Sequence, residues 1–496
     1  MQITGVYGIF KLIEMAIYGR RKALKIIGRK SEIRELENSD KSPKSELVCV
    51  YGRRRVGKTF LVEQTFGGYF AFRATGLEKG NTRQQLKAFN QRLIANGDEI
   101  KTIPRDWFEA FYRLEKLIIR KDVVLSPYGK KIIFFDEFPW FATPKSDFLL
   151  AFEEFWNRCG TQNGDILFII CGSATSWIIK NVIDNTGSLY HRVTSQIFVK
   201  PFALAETEKF FRDREFGWSP EQILEFQMVF GGLPFFMDLM NPNESFRQNV
   251  DRLLFSPAAL LKDETNRLLE ATLRKAPIYG NILECLASHI YGKKRVDCQR
   301  ELDAPDGTFA RAVEDLKKCG YIVEYKRNYE KGNPNYLQLV DPFLLFHYHF
   351  LAHNKINIYE DMISDNGLYS NWRGHAFETL CLLHVPQIKK ALGISGVKTN
   401  IYPWANLEQK EKVQIDLVIE RDDKITDICE IKYTNHPFNM TKEYDYSLLH
   451  KRDVFKEKTN TKNALRIVLI SASGLAGVAH TEHISQVITM EDLFES

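Results

Sequence analysis

Residues 52–59 read Gly52-Arg53-Arg54-Arg55-Val56-Gly57-Lys58-Thr59 and follow the pattern G-x-x-x-x-G-K-[ST] of a phosphate-binding loop. The two glycines allow a tight turn that aims backbone N–H groups at the β-phosphate of a nucleotide. Lys58 adds a positive charge, and Thr59 offers a hydroxyl to a Mg²⁺ ion that bridges the β- and γ-phosphates. The pattern therefore predicts that ATP and Mg²⁺ bind this stretch, which we call the phosphate loop.

The residues around the phosphate loop favour this interpretation over an ordinary arginine-rich turn. An apolar run at 47–51 precedes the loop, as a buried strand would, and a helix predicted from Thr59 adds its N-terminal dipole. A second apolar strand, 132–137, ends in two acids. We predict that Asp136 holds Mg²⁺ through water and that Glu137 polarises the attacking water.

The composition is that of a folded protein with several domains. The chain has 496 residues, of which 44% are apolar and 26% are charged, so it lacks the signature of disorder. Its length favours about three domains. The net charge of +5, from 68 basic and 63 acidic residues, is too small to require a nucleic-acid partner.

The cysteines and the longest apolar runs bear on location. The eight cysteines form no C-x-x-C pair, which favours a reducing, cytoplasmic environment. The apolar run at 9–17 is interrupted by Lys11 and Glu14, so it suits an amphipathic helix better than a signal or a membrane span. We therefore predict no contact with a membrane.

Apolar strands alternate with helical patterns through the first half of the chain, at 47–51, 132–136 and 166–171. Such alternation predicts a parallel sheet covered by helices on both faces, with the nucleotide at the carboxyl edge of the strands. The third strand is followed by Ser173 and Thr175. From the residues alone, a contact with the γ-phosphate and a simple turn are equally well supported there.

The middle of the chain reads as two helices followed by a β-hairpin. The helices are predicted at 278–289 and 309–320, and the strands at 321–325 and 336–340. This order predicts a winged helix-turn-helix. Nine basic residues are candidates for contacts with DNA phosphates: Lys293, Lys294, Arg295, Arg311, Lys317, Lys318, Lys326, Arg327 and Lys331. We slightly favour DNA contact over a protein-contact role.

Two strands near the C-terminus carry the arrangement D…(D/E)-x-K, at Asp416, Glu430 and Lys432. Period two places Glu430 and Lys432 on one face of their strand. Two converging carboxylates bind Mg²⁺, which polarises a phosphodiester, while the lysine stabilises developing charge. Glu378, on a predicted helix at 373–380, is the candidate third acid. The alternative is a hydrophilic hairpin whose acids and lysine face water.

Several of these motifs resemble those of archaeal-type ATPases related to the AAA+ and STAND classes. Residues 27–37 are similar to the family opening hGRexEhxxL, which lies near the adenine, and the family also shows G-R-R-R-x-G-K-T and F-D-E motifs, as at 52–59 and 135–137. The resemblance implies that Ser173, with Thr175 second, occupies the sensor position that reads the γ-phosphate. It also implies a helical lid, because 231–234 resembles the GGxP turn.

The stretch 189–192 resembles the family's LYGR element, whose arginine reaches a phosphate in cis or from a neighbouring subunit. This chain has His191 in place of the glycine, and a surface role for Arg192 is the favoured interpretation. Residues 341–346 resemble the family's DPFLRFW segment, which joins the middle module to the domain that follows. That domain resembles the restriction-endonuclease-like, PD-(D/E)xK domains of the same family, many of which keep the fold without known cleavage.

The resemblance implies an α/β fold: a P-loop parallel sheet with a helical lid, then a winged helix and a small α/β endonuclease-like domain. We predict an N-terminal extension at 1–24, an ATPase domain at 25–240, a lid and linker at 241–275, a winged helix-turn-helix at 276–345, a linker at 346–370 and an endonuclease-like domain at 371–496.

The sequence is compatible with two functions. One is an Mg²⁺-dependent ATPase whose nucleotide state acts through the winged helix on a nuclease-like domain that acts on or binds DNA. The other is an ATP-driven regulatory switch whose C-terminal domains only bind a protein or nucleic-acid partner. The candidate partners are ATP, double-stranded DNA, a protein and further copies of the chain.

Overall fold

The computed structural model describes residues 26–495 except for 121, 185–191, 263, 266–267, 270–276, 328–331, 333, 353–366 and 407–411. Some predicted features lie outside these residues: the helix at 9–17, residues 189–191, Lys331 and most of the linker at 346–370. None of the helices in the described part of the chain has the length and apolar character that crossing a membrane requires.

The N-terminal part alternates strands and helices. Its elements are α1 (Lys30–Lys41), β1 (Glu46–Tyr51), α2 (Lys58–Phe66), β2 (Phe70–Thr75), α3 (Thr82–Ala95), α4 (Trp107–Ile118), β3 (Lys131–Asp136), α5 (Phe148–Phe155), α6 (Thr161–Asn163), β4 (Ile166–Gly172), α7 (Thr175–Ile178) and β5 (Ser195–Phe198). The strands form a parallel sheet in the order β2-β3-β4-β1-β5. The predicted parallel α/β sheet is confirmed.

Both faces of this sheet are buried. Val48 and Val50 of β1 belong to one apolar core, whereas Leu47 and Cys49 belong to another on the opposite face. Because neither face meets water, the three central strands β1, β3 and β4 read as continuous apolar runs, and this is the signal that made them predictable. The edge strands β2 and β5 are partly exposed and were not predicted. The second core is rich in aromatic rings, for example Trp107 against Phe148 with ring centroids 4.8 Å apart.

A set of helices follows β5 in the region where the resemblance implies a helical lid, and we call this set the lid. It consists of α8 (Leu204–Asp213), α9 (Pro220–Phe230), α10 (Pro234–Asp238) and α11 (Phe246–Val250). Ser219 caps the N-terminus of α9, and its side chain accepts a hydrogen bond from the backbone N–H of Gln222. The glycines of the predicted GGxP turn end α9 and lead into α10.

The middle module combines helices with a small antiparallel sheet. Its elements are α12 (Pro277–Ala287), β6 (Lys293–Lys294), α13 (Arg295–Glu301), α14 (Asp306–Lys318), β7 (Ile322–Lys326) and β8 (Asn335–Leu339), and the sheet order is β6-β8-β7. The two predicted helices and the predicted hairpin are present. The short elements α13 and β6 were not predicted. With two residues, β6 is too short to show any periodicity.

The C-terminal part contains a second five-stranded sheet. Its elements are α15 (Pro342–Phe346), α16 (Gly367–Leu383), α17 (Val385–Ala391), β9 (Thr399–Asn406), β10 (Val413–Arg421), β11 (Ile425–Lys432), α18 (Lys442–Thr459), β12 (Ala464–Ser471), β13 (Ile484–Thr489) and α19 (Met490–Phe494). The sheet order is β13-β12-β11-β10-β9, with β9, β10 and β11 antiparallel and β11, β12 and β13 parallel.

The C-terminal part packs on the lid through polar contacts as well as apolar ones. Arg373 of α16 donates to Glu225 of α9 at 3.0 Å, and both side chains are buried. His384 follows α16, and its Nε2 accepts a hydrogen bond from the backbone N–H of Leu204 at 3.2 Å. Its Nδ1 lies 2.9 Å from the carbonyl oxygen of Leu380. The neutral ring satisfies both contacts, with Nδ1 as donor and Nε2 as acceptor.

This buried imidazole gives a prediction about pH. Burial lowers the pKa of His384 from its usual 6.5 to about 4. On acidification the unfolded chain takes up the proton first, so the stability that the neutral ring contributes is present above the unfolded pKa and is lost as pH falls. Between about pH 7.5 and about pH 5, we expect the free energy of unfolding to fall by roughly 2 kcal/mol more for the wild type than for His384→Gln.

Urea denaturation at both pH values measures this difference, and the glutamine variant is the control because its side chain does not titrate. Other groups titrate equally in the two proteins, so their effects cancel. Equal falls in the two proteins would show that His384 is not held neutral at this contact.

Candidate functional site

The phosphate loop lies between β1 and α2, at the carboxyl edge of the parallel sheet. Gly52 has φ 148°, and a Cβ atom there would lie 2.4 Å from the carbonyl oxygen of Val199, so the loop requires glycine at this position. Lys58 is buried, and its Nζ donates to the carbonyl oxygens of Gly52 at 3.0 Å and Arg53 at 2.7 Å. Burial lowers the pKa of Lys58, although nearby acids oppose the shift.

The acidic strand end meets the loop as the sequence predicts. The Thr59 hydroxyl lies 3.1 Å from each carboxylate oxygen of Asp136. Burial raises the pKa of Asp136, and the charge of Glu137 adds to this shift. Oxygen atoms of a hydroxyl and a carboxylate are ligands that Mg²⁺ prefers, so this pair fits a magnesium ion beside the phosphates.

Glu137 and Ser173 face one another across neighbouring strand ends. Glu137 adopts a left-handed backbone conformation with φ 48°. Its carboxylate accepts from the Ser173 hydroxyl at 3.0 and 3.1 Å and from the Ser173 backbone N–H at 3.3 Å. Thr175, the second choice for the sensor role, is buried at the start of α7. The structure thus brings Ser173 to the catalytic candidate, whereas its role towards a phosphate stays a prediction.

Each of the three arginines of the loop contacts an acidic side chain outside the loop. Arg53 forms a buried ion pair with Asp341 at 2.5 Å, and its guanidinium lies over the Tyr321 ring, 4.6 Å from the centroid. Arg55 pairs with Glu264 at 2.6 Å, and Arg54 lies 3.8 Å from the exposed Glu78. The phosphate-loop pattern makes all three candidates for nucleotide binding, and ion pairs hold the guanidinium groups of Arg53 and Arg55 on acids outside the loop.

A cavity of about 350 Å³ opens beside the phosphate loop, which is within the range of small-molecule sites. The loop residues 55–59 line one side, and Ile27 and Arg29 from the predicted adenine-side stretch line another. Arg29 donates to the carbonyl oxygen of Val56 at 3.1 Å. The segment after β5 lines the remaining side, and of its lining residues the sequence analysis singled out Pro234 alone, in the GGxP turn: Phe202, Phe210, Arg214, Pro234, Phe235 and Asp238.

The C-terminal candidates also come together. The pairing of Leu417 with Cys429 places Asp416 of β10 beside Glu430 of β11. Lys432 contacts the Glu430 carboxylate at 2.9 Å, which confirms that the two side chains share a face. Asp416 accepts a hydrogen bond from the backbone N–H of Ile431 at 2.8 Å. We call Glu378, Asp416 and Glu430 the carboxylate site.

The two strand acids differ in charge state. Desolvation, followed by repulsion from Glu430 and Glu378, raises the pKa of Asp416 to about 7. Burial acts in the same direction on Glu430, but the ammonium groups of Lys451 and Lys432 outweigh it and lower the pKa of Glu430. At neutral pH the site therefore holds an ionised Glu430 and an Asp416 close to its midpoint.

Two residues of α18 complete this site, and neither was predicted from the sequence. The Tyr444 hydroxyl donates to Glu430 at 2.5 Å, and Lys451 donates to its other oxygen at 2.6 Å. They lie seven residues apart, which places them on one face of the helix. The seven-residue spacing is visible in the sequence. The position of α18 relative to β11 is set by the tertiary fold and cannot be read from the sequence.

The carboxylate site is not compact enough in this arrangement to form a three-ligand metal centre. Among the described residues, three ligand atoms within 4.8 Å of one another occur at Asp445, Glu482 and His483, where two of the three residues are exposed. Glu378, Asp416 and Glu430 do not meet this spacing. Glu430 instead contacts Lys432, Lys451 and Tyr444.

Much of the predicted basic surface of the middle module is already paired. Arg295 contacts Glu324 at 2.9 Å, and Lys317 contacts the same carboxylate at 2.6 Å. Arg327 is buried, with its guanidinium 3.9 Å from the Tyr336 ring centroid. Arg311 and Lys326 are exposed. The number of these nine basic residues that are exposed and available to contact DNA phosphates is therefore smaller than the sequence suggested.

This chain is similar to one protein family over its N-terminal part and to single known proteins over most of its length. Residues 26–234 match the profile of a family described as an ATPase domain predominantly from Archaea. An uncharacterized protein of Methanocaldococcus jannaschii is 23% identical over 415 residues, which cover 82% of this chain and 87% of that protein. A Walker-type ATPase of Pyrococcus abyssi superposes with a TM-score of 0.50 at 20% identity, covering 67% of this chain and 97% of that one. This likeness shows a shared fold.

Proposed function

We propose that this protein is an Mg²⁺-dependent ATP hydrolase whose nucleotide state acts, through the middle module, on a nuclease-like domain that binds or cuts DNA. The observation that carries the ATPase half is the convergence of Lys58, Thr59, Asp136 and Glu137 at one sheet edge beside a cavity of about 350 Å³. The profile match over residues 26–234 supports the same activity.

Each residue has a distinct part in hydrolysis. Lys58 would exchange its two carbonyl acceptors for phosphate oxygens, and Thr59 and Asp136 would hold the magnesium ion. The bound ion supplies neutralisation of charge on the phosphates. Glu137 would orient the attacking water, and the Ser173 hydroxyl positions the Glu137 carboxylate.

The ion pair of Arg53 with Asp341 supports coupling to the middle module. Asp341 lies just after β8 of that module, and Tyr321, under the Arg53 guanidinium, belongs to the same module. The end of α14 also lies near the strand end that carries the sensor candidate, with Cys319 Sγ 3.9 Å from the Ser176 hydroxyl. A shift of the phosphate loop on nucleotide binding would therefore also displace the residues of the module that contact the loop.

A specific observation favours a second candidate, an ATP-driven switch without cleavage. The spacing within the carboxylate site exceeds that of a three-ligand centre, and Lys432, Lys451 and Tyr444 satisfy Glu430 without any ion. In that case the C-terminal part would bind duplex DNA, a protein or another copy of the chain. Both candidates share the ATPase half.

The variant Glu137→Gln tests the ATPase half. We expect ATP hydrolysis to fall at least about a hundredfold, because glutamine cannot act as the base for the attacking water. Binding of ATP should persist, since Lys58 and the loop are intact. Phosphate release measures hydrolysis, and a fluorescent ATP analogue measures binding.

Glu154→Gln is the matched control, because Glu154 is an exposed acid of α5 paired with Arg158 at 2.8 Å. It should hydrolyse ATP as fast as the wild type. Hydrolysis by Glu137→Gln at the wild-type rate would refute the assigned role.

A further inference from the structure

One residue of the middle module reaches into the carboxylate site. Tyr291 lies in the turn between α12 and β6, and its side chain lines a small cavity together with Glu378 and Asp416. Ile290 and Gln338 line the cavity from the same module, and Thr379 and Pro403 line it from the C-terminal part. The volume is about 10 Å³, close to the minimum that holds one water molecule. A phosphodiester does not fit there while Tyr291 is in place.

The charged groups around Tyr291 favour a neutral phenol beside Glu378 and Asp416. Burial, followed by the charges of Glu378 and Asp416, raises the pKa of the Tyr291 hydroxyl, so the phenol stays protonated. The Glu378 Oε2 atom is buried and has no hydrogen-bond partner among the described residues. A neutral hydroxyl beside this unsatisfied Glu378 oxygen is a favourable neighbour, whereas a bound cation would compete for the same oxygen.

The turn that carries Tyr291 is firmly held by the hairpin β7–β8. The carbonyl oxygen of Tyr291 accepts from the Tyr325 hydroxyl at 2.5 Å and from Arg327 at 2.9 Å. Gln338 donates to the carbonyl oxygen of Ile290 at 2.6 Å. At Gly292, with φ 73°, a Cβ atom would lie 2.4 Å from the Tyr325 hydroxyl oxygen. Tyr291 therefore does not leave the site alone; the turn moves with the module.

The hairpin in turn rests on the C-terminal sheet. Tyr325 and Tyr336 belong to one apolar cluster with Trp404 of β9 and Ile415 of β10. These contacts fix the distance between the turn and the carboxylate site. Opening the site requires that this apolar contact be separated, which makes the closed arrangement a defined state and not a side-chain fluctuation.

We propose that Tyr291 is an autoinhibitory gate: it closes the carboxylate site, and an ion with a phosphodiester enters only when the middle module moves away. The proposal rests on the proposed function of Asp416 and Glu430 and adds how their site is regulated. The same module also contacts the phosphate loop, where Tyr321 lies under Arg53. Nucleotide binding is thus the event best placed to move the gate.

The test uses the full chain with Tyr291→Ala. Truncation keeps the hydrogen bonds of the turn, because they are made by backbone carbonyl groups. The two readouts are binding of Mn²⁺ alone, followed by electron paramagnetic resonance of the free ion, and Mg²⁺-dependent nicking of supercoiled plasmid. We expect Tyr291→Ala to bind Mn²⁺ and to nick at least about tenfold better than the wild type, because a closed gate lowers apparent affinity by the open fraction.

Further variants serve as controls for this comparison. Tyr291→Phe keeps the ring and should stay close to the wild type, and Tyr112→Ala removes an exposed tyrosine of α4 as a control. Adding Asp416→Asn to Tyr291→Ala should abolish the gained Mn²⁺ binding. If Tyr291→Ala does not fold, Tyr291→Leu replaces it, because its shorter side chain still opens the cavity.

The outcomes separate the gate from the nuclease. Tighter Mn²⁺ binding without nicking by any variant supports the gate and rejects cleavage. Nicking by the wild type as fast as by Tyr291→Ala, with equal Mn²⁺ affinity, overturns the gate and leaves the nuclease function standing. Unchanged Mn²⁺ binding and no nicking overturns the gate as well.

Discussion

Replacing Lys58 by alanine is expected to weaken binding of ATP with Mg²⁺ at least about a hundredfold and to remove hydrolysis. The Lys58 ammonium is buried at the centre of the phosphate loop, 3.0 and 2.7 Å from two loop carbonyl oxygens. Phosphate oxygens are stronger partners for a buried ammonium than neutral carbonyl oxygens, because the hydrogen bonds are charge-assisted. Alanine removes the contact with the phosphate oxygens. It also removes the two hydrogen bonds from Lys58 to loop carbonyl groups that hold the shape of the loop.

Isothermal titration with ATP and Mg²⁺ measures the effect directly. Lys87→Ala is the matched control, because Lys87 is an exposed lysine of α3 in the same domain. The control should give the wild-type heat. Equal heats from Lys58→Ala and the wild type would show that the phosphate loop is not the nucleotide site.

The parts of the fold that were predictable are those where one segment carries its own signal. β1 and β3 are buried on both faces, so the runs 47–50 and 132–135 identify strands without reference to any other residue. The spacing of Gly52, Lys58 and Thr59 identifies the loop in the same way. The acidic strand end was predictable because Asp136 and Glu137 stand directly after an apolar run.

The features that were missed depend on contacts between distant parts of the chain. The motif includes Arg53 in the nucleotide-binding loop, but it did not predict that the Arg53 guanidinium pairs with Asp341, nearly three hundred positions later. Burying an arginine is costly without such a partner, so the position of the acid decides the direction of the guanidinium. Lys451 and Tyr291 were missed for the same reason. Each reaches its site from a helix or turn whose placement only the tertiary fold defines.

The second large effect is expected at the carboxylate site. If this site cuts DNA, Asp416→Asn should abolish Mg²⁺- or Mn²⁺-dependent nicking of plasmid while ATP hydrolysis continues at the wild-type rate. The asparagine oxygen can still accept from the Ile431 N–H, which Asp416 does at 2.8 Å, so the strand geometry is kept. What is lost is the negative charge that a divalent ion requires from a carboxylate ligand.

Asp422→Asn is the control, because Asp422 is an exposed acid of the turn after β10 and undergoes the same chemical change. It should nick and hydrolyse like the wild type. The assay includes ATP, a non-hydrolysable analogue and both metals, because the gate at Tyr291 would hide activity in a closed protein. Nicking that survives in Asp416→Asn would place the chemistry elsewhere. If the opened variant Tyr291→Ala also fails to cut in every condition, the C-terminal part is a binding domain and the protein is an ATP-driven switch.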